Sequence, residues 1–316
     1  FIQFYYDFAG VGVDRYKMPD GETTQVMLSS REINVDKLAD SAQTWQNRHL
    51  VFTHGHGVAM SPMNRIQDNG QPQMWLSNVP VEPAPGYEHL SLDEAGVYYG
   101  LISQEFAVVN TDVQELDYQG EGSVAVHSDY TGAGGVPLSS TIRRMAYAWE
   151  FGDVNLLVSG EIDNSKSRIQ YRRTVPERFE TITPFLVPDS DPYQVVADGR
   201  IFFVQDGYSI TDKFPYSTPV GTAFDKGPNS GGFNYIRNSV KTVVDAYTGN
   251  IDYYIFDEDD PIIQTYSKIF PGLFKSAEDM PDYLQEHVRY PRDIFTVQTR
   301  MLRQYHIEDA ENFYQK

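Results

Sequence analysis

Two histidines, His54 and His56, flank Gly55 and are followed by Gly57 in the 316-residue chain. In an extended segment every second side chain faces the same way, so both imidazoles would point to one side. Neutral imidazole binds zinc, copper, iron or nickel, and a third ligand, Glu or Asp, would have to come from elsewhere in the chain. The pair therefore predicts a transition-metal site. A plain tight turn between glycines is the alternative.

Two acidic clusters, 189–191 and 257–260, are candidates for calcium, which prefers several oxygen ligands. In the second cluster the candidate ligands are Asp257, Asp259 and Asp260. The twelve-residue spacing of an EF-hand loop is absent, and a proline closely follows each cluster. A solvated turn is therefore the alternative interpretation of both clusters.

Motifs typical of catalysis are absent from the sequence. Residues 132–135 read Gly-Ala-Gly-Gly before a predicted helix, but neither the P-loop lysine nor the Rossmann spacing accompanies them. This pattern favours a structural turn over an anion-binding loop. The nucleophile motif G-x-S-x-G does not occur, and among 44 acidic residues no carboxylate pair can be singled out for glycoside hydrolysis.

Composition limits the partners and the chemistry. The chain has 25 basic and 44 acidic residues, a formal net charge of −19, which argues against nucleic acid as a partner. It has no cysteine, which excludes disulfides and thiolate metal sites. Its 22 tyrosines and 18 phenylalanines could form sheet cores or, when exposed, bind sugars or protein partners. No apolar run approaches the length needed to span a bilayer, about 18–20 residues.

The pattern of elements predicts an α+β fold with short antiparallel strands, hairpins and packed helices. Helices are predicted in residues 35–50, 139–186 and 277–313. Within the second range, Ser140 is the predicted N-cap of a helix with an apolar stripe, and a further helix in residues 165–186 bends at Pro176. That stripe is formed by Ile142, Met145, Ala146 and Trp149.

Two hairpins are predicted in the second half of the chain. Asp198 and Gly199 separate apolar runs at 193–197 and 200–205, the arrangement of a type I′ turn. Thr248 and Gly249 separate the runs of the second hairpin in the same way. Clustered prolines suggest a boundary between an N-terminal α+β lobe, residues 1–187, and a C-terminal lobe, residues 188–316, with both hairpins and the terminal helices.

Several segments together resemble the uncharacterised protein family numbered 0182, a set of prokaryotic membrane proteins. They are VDRY (13–16) with QVMLS (25–29), TWQNRHLV (44–51), PYQVVADG (192–199), YIRNSVK (235–241), and RYPRDIF (289–295) with YH (305–306). The resemblance implies several transmembrane helices near the N-terminus, absent from this chain, and a large soluble region outside the cytoplasmic membrane. The family usually has tyrosine where this chain has His56, so a metal-binding role for His56 is not a family property.

The chain begins with Phe1 and is interpreted as a piece of a longer polypeptide, the soluble extracytoplasmic region of a cell-membrane protein. The main hypothesis is a domain that binds a protein or glycan partner of the cell envelope. One alternative is a metal-assisted hydrolase of an envelope polymer, with His54 and His56 as zinc ligands. Another is a scaffold that forms homo-oligomers above the membrane.

Overall fold

A computed structural model describes residues 5–120, 124–220 and 232–315 and confirms the α+β class. Its strands are β1 (Tyr6–Lys17), β2 (Thr23–Ile33), β3 (Gly55–His56), β4 (Val58–Pro62), β5 (Leu76–Ser77), β6 (Glu82–Pro83), β7 (Gly96–Val97), β8 (Ala107–Val109), β9 (Glu115–Gln119), β10 (Ala125–Ser128), β11 (Val136–Pro137), β12 (Arg168–Gln170), β13 (Val187–Pro188), β14 (Tyr193–Ala197), β15 (Arg200–Thr211), β16 (Tyr235–Asp245), β17 (Ile251–Ile255) and β18 (Phe274–Ser276). Its helices are α1 (Thr141–Phe151), α2 (Asn155–Val158), α3 (Val175–Ile182), α4 (Pro261–Ile269), α5 (Asp282–Gln285), α6 (Arg292–Tyr305) and α7 (Ala310–Tyr314).

The chain divides into two compact units that alternate along the sequence. The first unit comprises residues 1–178, 193–203 and 244–251, and the second comprises residues 179–192, 204–243 and 252–316. The predicted boundary at 187/188 thus falls inside a segment of the second unit. Both predicted hairpin turns, at 198–199 and 248–249, belong to the first.

The first unit is built on an antiparallel sheet in the order β1-β2-β4-β5-β6. Strand β2 alternates exposed and buried residues in its first half, which places Val26 and Leu28 in the core. Burial of this apolar face is what fixes the register, because a shift by one residue would expose it. The core around it also contains Met60, Trp75 and Tyr98, all almost completely buried.

The hairpin turn at Asp198 and Gly199 is confirmed. Both residues have positive φ, 49° and 68°, as a type I′ turn requires. They connect β14 to β15, which pair with each other. In the second unit, β13 pairs with β15 in an antiparallel manner at Val187 and Tyr208, and β17 pairs with β18 in parallel.

The helix predicted from Ser140 is confirmed, the helix in residues 35–50 is wrong, and the helix in residues 165–186 is right only from Val175 onward. Helix α1 begins at Thr141, and the Ser140 hydroxyl accepts a hydrogen bond from the Arg143 amide. The predicted helix in residues 35–50 is instead a set of short 3₁₀ and π turns. The predicted helix in residues 165–186 begins only at Val175, because residues 168–170 form strand β12 between β8 and β11.

The helices predicted in residues 277–313, one reaching His287 and one after Pro291, are present as α5 and α6, and a third helix, α7, follows them. Pro281 precedes α5 and Pro291 precedes α6, positions where proline has no helical hydrogen bond to lose. Among the helices of the described ranges, none has both the length and the apolar composition to cross a membrane.

Candidate functional site

The structure brings both predicted histidines of the first unit to one carboxylate. His56 lies in β3, and Asp117 lies in β9, sixty-one residues away. The His56 Nδ1 atom lies 2.9 Å from the Asp117 Oδ1 atom, and the His54 Nε2 atom lies 3.5 Å from the same oxygen. Both imidazoles are buried. Asp117 was missed by the sequence analysis because it belongs to a separate strand.

Glycine at position 55 allows this close approach. A Cβ atom there would lie 1.9 Å from the carbonyl oxygen of Arg31, far inside any tolerated contact. The backbone between the histidines therefore packs directly on β2. The glycine is required by packing, which neither the metal-site nor the turn interpretation of the motif had included.

A second carboxylate, Glu115, lies on the other side of His54. The His54 Nδ1 atom is 2.9 Å from the Thr53 Oγ1 atom and 3.6 Å from Glu115 Oε2. Thr53 and Tyr98 both donate hydroxyl hydrogen bonds to that oxygen, at 2.7 and 2.9 Å. The Tyr98 ring stacks on the imidazole of His54, with ring centres 4.3 Å apart. His54 is thus held between two carboxylates in a buried network.

The charges of this network are coupled. Burial alone would lower the pKa of His54, but hydrogen bonds and attraction from Asp117 and Glu115 outweigh it and raise that pKa. Burial would raise the pKa of each carboxyl group, yet His54 lowers both, together with Thr53 and Tyr98 at Glu115 and with His56 at Asp117. The arrangement therefore stabilises a protonated His54 between two ionised acids.

The metal prediction for His54 and His56 stays a prediction. Within the described ranges, no three or more His, Asp or Glu side chains are arranged to bind a metal ion. Asp117 lies where an acidic metal ligand next to both histidines would lie, and there it accepts hydrogen bonds from the two imidazoles. One atom, His56 Nε2, is buried and has no hydrogen-bond partner among the described residues.

The predicted calcium ligands in the second unit each have a different environment. Asp260 is buried, caps α4 through the Ile262 amide and accepts hydrogen bonds from Ser209 and Ser239. Asp257 forms an ion pair with Arg237 at 2.9 Å. Asp259 is exposed. The contacts of Asp257 and Asp260 are structural, and the calcium site stays a prediction.

The glycine-rich loop at 132–135 also has structural contacts. Arg168 donates hydrogen bonds to the carbonyl oxygens of Ala133, Gly134 and Gly135. A Cβ atom at Gly134 would lie 2.1 Å from the carbonyl oxygen of Thr248. The loop thus turns its carbonyl oxygens towards the guanidinium cation of Arg168, which favours a structural turn over an anion-binding loop.

A pocket of about 400 Å³ lies in the first unit, apart from the histidine and acidic motifs that the sequence analysis identified. It is lined by His49, Gln104, Glu105, Phe106, Glu150, Phe151, Tyr171, Arg172 and Glu177. Phe106 stacks on Phe151 with ring centres 4.9 Å apart, and Phe151 meets Tyr171 edge to face at 5.9 Å. These residues come from five separate parts of the chain, so no spacing in the sequence could have grouped them.

One polar wall of the pocket is fixed by ionic contacts. Arg48 donates hydrogen bonds to both carboxylate oxygens of Glu105, and His49 stacks on Phe106 with ring centres 4.0 Å apart. Burial lowers the pKa of His49, which keeps this imidazole neutral near pH 7. Gln104, Arg172 and Glu177 are exposed at the rim. The pocket thus combines aromatic faces with hydrogen-bond donors and acceptors.

These features define the class of the protein. It is an α+β domain with a buried histidine–carboxylate network and an aromatic pocket. The chain belongs to the uncharacterised protein family UPF0182, whose model matches residues 1–316. It is 44% identical over 315 residues to a UPF0182 protein of Pelotomaculum thermopropionicum, covering 100% of this chain and 33% of that relative. It is 46% identical over 312 residues to one of Methanospirillum hungatei, covering 99% and 34%.

The chain spans about a third of the length of these curated relatives. A UPF0182 protein of a Synechococcus strain is similar at 41% identity over 319 residues, with 36% of its length covered. No solved structure matches the chain.

Proposed function

We propose that this chain is a binding domain, located outside the cytoplasmic membrane in a multi-pass membrane protein, that recognises a cell-envelope glycan in the aromatic pocket. The observation that carries the proposal is the pocket wall of Phe106, Phe151 and Tyr171 beside the exposed polar groups of Gln104 and Glu177. Aromatic faces pack on the apolar faces of sugar rings, and amide or carboxylate groups bind their hydroxyls.

The size of the pocket favours a glycan over a protein partner. A volume of about 400 Å³ is in the range of small-ligand sites and suits one or two sugar rings. A protein partner would instead need an interface on the order of 800 Å² from each side. Arg172 at the rim has a left-handed φ of 51°, a conformation rare for this residue type, and such conformations cluster at ligand sites.

The first test replaces Glu177 with glutamine. A hydrogen bond from a sugar hydroxyl to a carboxylate is stronger than one to an amide, so binding should weaken about 10-fold. The probes are soluble peptidoglycan fragments and the N-acetylglucosamine tetrasaccharide, and the measurement is isothermal titration calorimetry. The matched control is Glu180→Gln, on the same helix, exposed and outside the pocket, which should bind like the wild type.

Two outcomes would contradict the glycan proposal. One is that neither probe binds the wild-type chain. The other is that Glu180→Gln weakens binding as much as Glu177→Gln, which would assign the effect to net charge rather than to the pocket.

The location of the domain can be tested by labelling. The resemblance to a family of membrane proteins supports an extracytoplasmic position. The chain has no cysteine, so Gln71→Cys in the full-length protein adds one exposed thiol. A membrane-impermeant maleimide should label this variant in intact cells more strongly than it labels the parent protein. Labelling only after lysis would place the domain inside the cell.

The second candidate is a metal-assisted hydrolase of an envelope polymer. The unpartnered Nε2 atom of His56 favours it, because a buried imidazole nitrogen without a hydrogen bond could bind zinc. Elemental analysis of the purified chain separates the two functions. One equivalent of zinc, lost in His56→Gln, would favour the hydrolase over the binding domain.

A further inference from the structure

The lining of the aromatic pocket contains a buried histidine whose second nitrogen is unused. His49 is 8% exposed, and its imidazole contacts the rings of Trp45 and Phe106, with ring centres 5.4 and 4.0 Å away. Its Nδ1 atom lies 2.9 Å from the carbonyl oxygen of Phe106. A carbonyl oxygen only accepts, so Nδ1 carries the proton of the neutral ring and Nε2 keeps a lone pair. The Nε2 atom is therefore a hydrogen-bond acceptor in a fixed position.

A second acceptor lies next to this nitrogen. The His49 Nε2 atom is 4.0 Å from Oε2 of Glu105, and it makes no hydrogen bond with any residue that the structure describes. Arg48 donates hydrogen bonds to both oxygens of Glu105, which fixes the carboxylate and leaves each oxygen a further lone pair. His49 and Glu105 both line the pocket. Two acceptors thus meet there without a donor between them.

The spacing of these two acceptors suits one ammonium group. Atoms 4.0 Å apart can both accept from a single nitrogen at ordinary hydrogen-bond lengths, about 2.9 Å. An ammonium group has three N–H donors and no acceptor, whereas a hydroxyl or a secondary amide has one hydrogen and can satisfy only one of the two atoms. The aromatic walls, Phe106 and Phe151, also attract a cation when it lies within about 6 Å of a ring centre.

The charges of the lining also favour a cation. Three carboxylates, Glu105, Glu150 and Glu177, line the pocket against one guanidinium group, Arg172. Glu150 and Glu177 are exposed and form no ion pair within the described part of the chain. The guanidinium group of Arg172 lies over the ring of Tyr171, 6.0 Å from its centre. With a net charge of −19 on the whole chain, the pocket attracts cationic ligands and repels anionic ones.

We propose that the pocket selects a hexosamine whose amino group is free and protonated, with the ammonium group bound between His49 Nε2 and the Glu105 carboxylate. This inference rests on the proposed glycan function and names the sugar that the pocket prefers. An N-acetyl group would leave one N–H donor in place of three, remove the positive charge and bring a carbonyl oxygen towards two acceptors. His49 is thus the residue that determines specificity.

The test compares two sugars that differ only in acetylation. Isothermal titration calorimetry of the 316-residue chain at about pH 6, where an amine of this kind is protonated, measures binding of the glucosamine and N-acetylglucosamine tetrasaccharides. We expect the glucosamine tetrasaccharide to bind about 10-fold more tightly, because its hydrogen bonds are charge-assisted. The N-acetylglucosamine tetrasaccharide should still bind through the aromatic walls.

The variant His49→Phe removes the Nε2 acceptor and keeps an aromatic ring between Trp45 and Phe106. The preference for the glucosamine tetrasaccharide should fall below about 3-fold, while the affinity for the N-acetylated sugar should stay within about 2-fold of the wild type. A residue with a merely structural role would weaken both sugars together, so the ratio of the two affinities separates specificity from damage to the pocket.

A second variant tests the charge of the pocket without changing a buried residue. Glu150→Gln replaces an exposed carboxylate of the lining and should reduce the preference about 3-fold at an unchanged melting temperature. The matched control is Glu161→Gln, an exposed residue of the first unit outside the pocket, which should keep the full preference. If His49→Phe does not fold, an unchanged preference in Glu150→Gln overturns the proposal.

Three further outcomes would overturn it. Equal binding of the two tetrasaccharides by the wild type would leave the glycan function standing and refute the selection of a free amine. A full preference in His49→Phe would assign the effect to overall charge. Tetralysine binding as tightly as the glucosamine tetrasaccharide would show that the site accepts any ammonium group. Failure of both sugars and of the peptidoglycan fragments would instead contradict the glycan proposal itself.

Discussion

Replacing Lys241 with methionine is expected to lower the free energy of unfolding by about 3–5 kcal/mol, because the change leaves a buried carboxylate without its counter-charge. In the second unit, the Lys241 ammonium group forms an ion pair with Asp206, and both side chains are 3% exposed. Lys241 also donates a hydrogen bond to the carbonyl oxygen of Arg289 at 3.2 Å. Urea denaturation monitored by circular dichroism measures the loss.

The double variant Lys241→Met, Asp206→Leu separates the stability that the ion pair contributes from the free-energy cost of burying its two charges. Two apolar side chains of similar size need no counter-charge, so most of the stability should return, to within about 1 kcal/mol of the wild type. The matched control is Lys275→Met, which breaks a half-exposed ion pair with Asp252 in the same unit. That variant should lose less than about 1 kcal/mol.

The effect of Lys241→Met should shrink in acid. Burial, only partly offset by Lys241, raises the pKa of Asp206. Its folded pKa therefore lies above the unfolded value, and the ionised form costs stability as the pH rises through this interval. Without Lys241, the folded and unfolded pKa values of Asp206 differ more. The free energy of unfolding of the variant should therefore be closest to that of the wild type near pH 4. An equal loss at every pH would mean that the carboxylate is not the group left uncompensated.

Local signals predicted the parts of the fold that depend on neighbouring residues. The turn at Asp198 and Gly199 requires two positive φ angles in succession, which few residue pairs tolerate. The cap of α1 depends on Ser140 and on an amide three residues away. Both contacts are made within a few residues, so the sequence alone could specify them.

Contacts between distant segments overruled the local pattern elsewhere. Residues 168–170 were predicted as helix, but Ile169 is completely buried between β8 and β11 and pairs with both. Arg172, with its positive φ, then prevents a helix from continuing towards Val175. Pairing with strands about 30 and 60 residues earlier decided the structure of this segment, and periodicity contains no information about a pairing partner.

In the candidate site, too, some features follow from neighbouring residues and others depend on contacts between distant segments. The sequence identified His54 and His56 from their spacing, but their partners Glu115 and Asp117 are about sixty residues away and are two of 44 acids. The apolar stripe of α1 is exposed while Arg144 of the same helix is buried, which no pattern predicted because arginine is rarely buried. The chemistry could be proposed from residue types, whereas its geometry required the fold.

Replacing Glu115 with glutamine is expected to lower the free energy of unfolding by about 3 kcal/mol. Glu115 is 1% exposed and accepts hydrogen bonds from Thr53, Tyr98 and the Asn110 amide. Glutamine has only one accepting oxygen, and its amide group would face donors. The variant also removes one of the two negative charges beside His54.

The pH dependence of stability should change as well. The pKa of His54 is raised in the folded state, so its contribution is complete below the unfolded value, about 6.5, and is lost as the pH rises through the folded pKa. Stability of the wild type should therefore decline above pH 6.5, and Glu115→Gln should reduce this decline. The control His89→Gln removes an exposed histidine, and this variant should retain the decline in stability above pH 6.5. Urea unfolding from pH 5 to pH 9 gives both slopes, and an unchanged slope in Glu115→Gln would refute the assignment to His54.

The same titration distinguishes the buried network from a metal site. Zinc binds the neutral imidazole, so its binding must displace the proton that Asp117 and Glu115 hold on His54. Added zinc should then leave the decline above pH 6.5 in place if the network is structural. If the histidines bind the metal, zinc should abolish the decline and raise stability most at high pH, where no proton competes. The proton that the two carboxylates stabilise on His54 therefore competes with the metal below the folded pKa of this histidine.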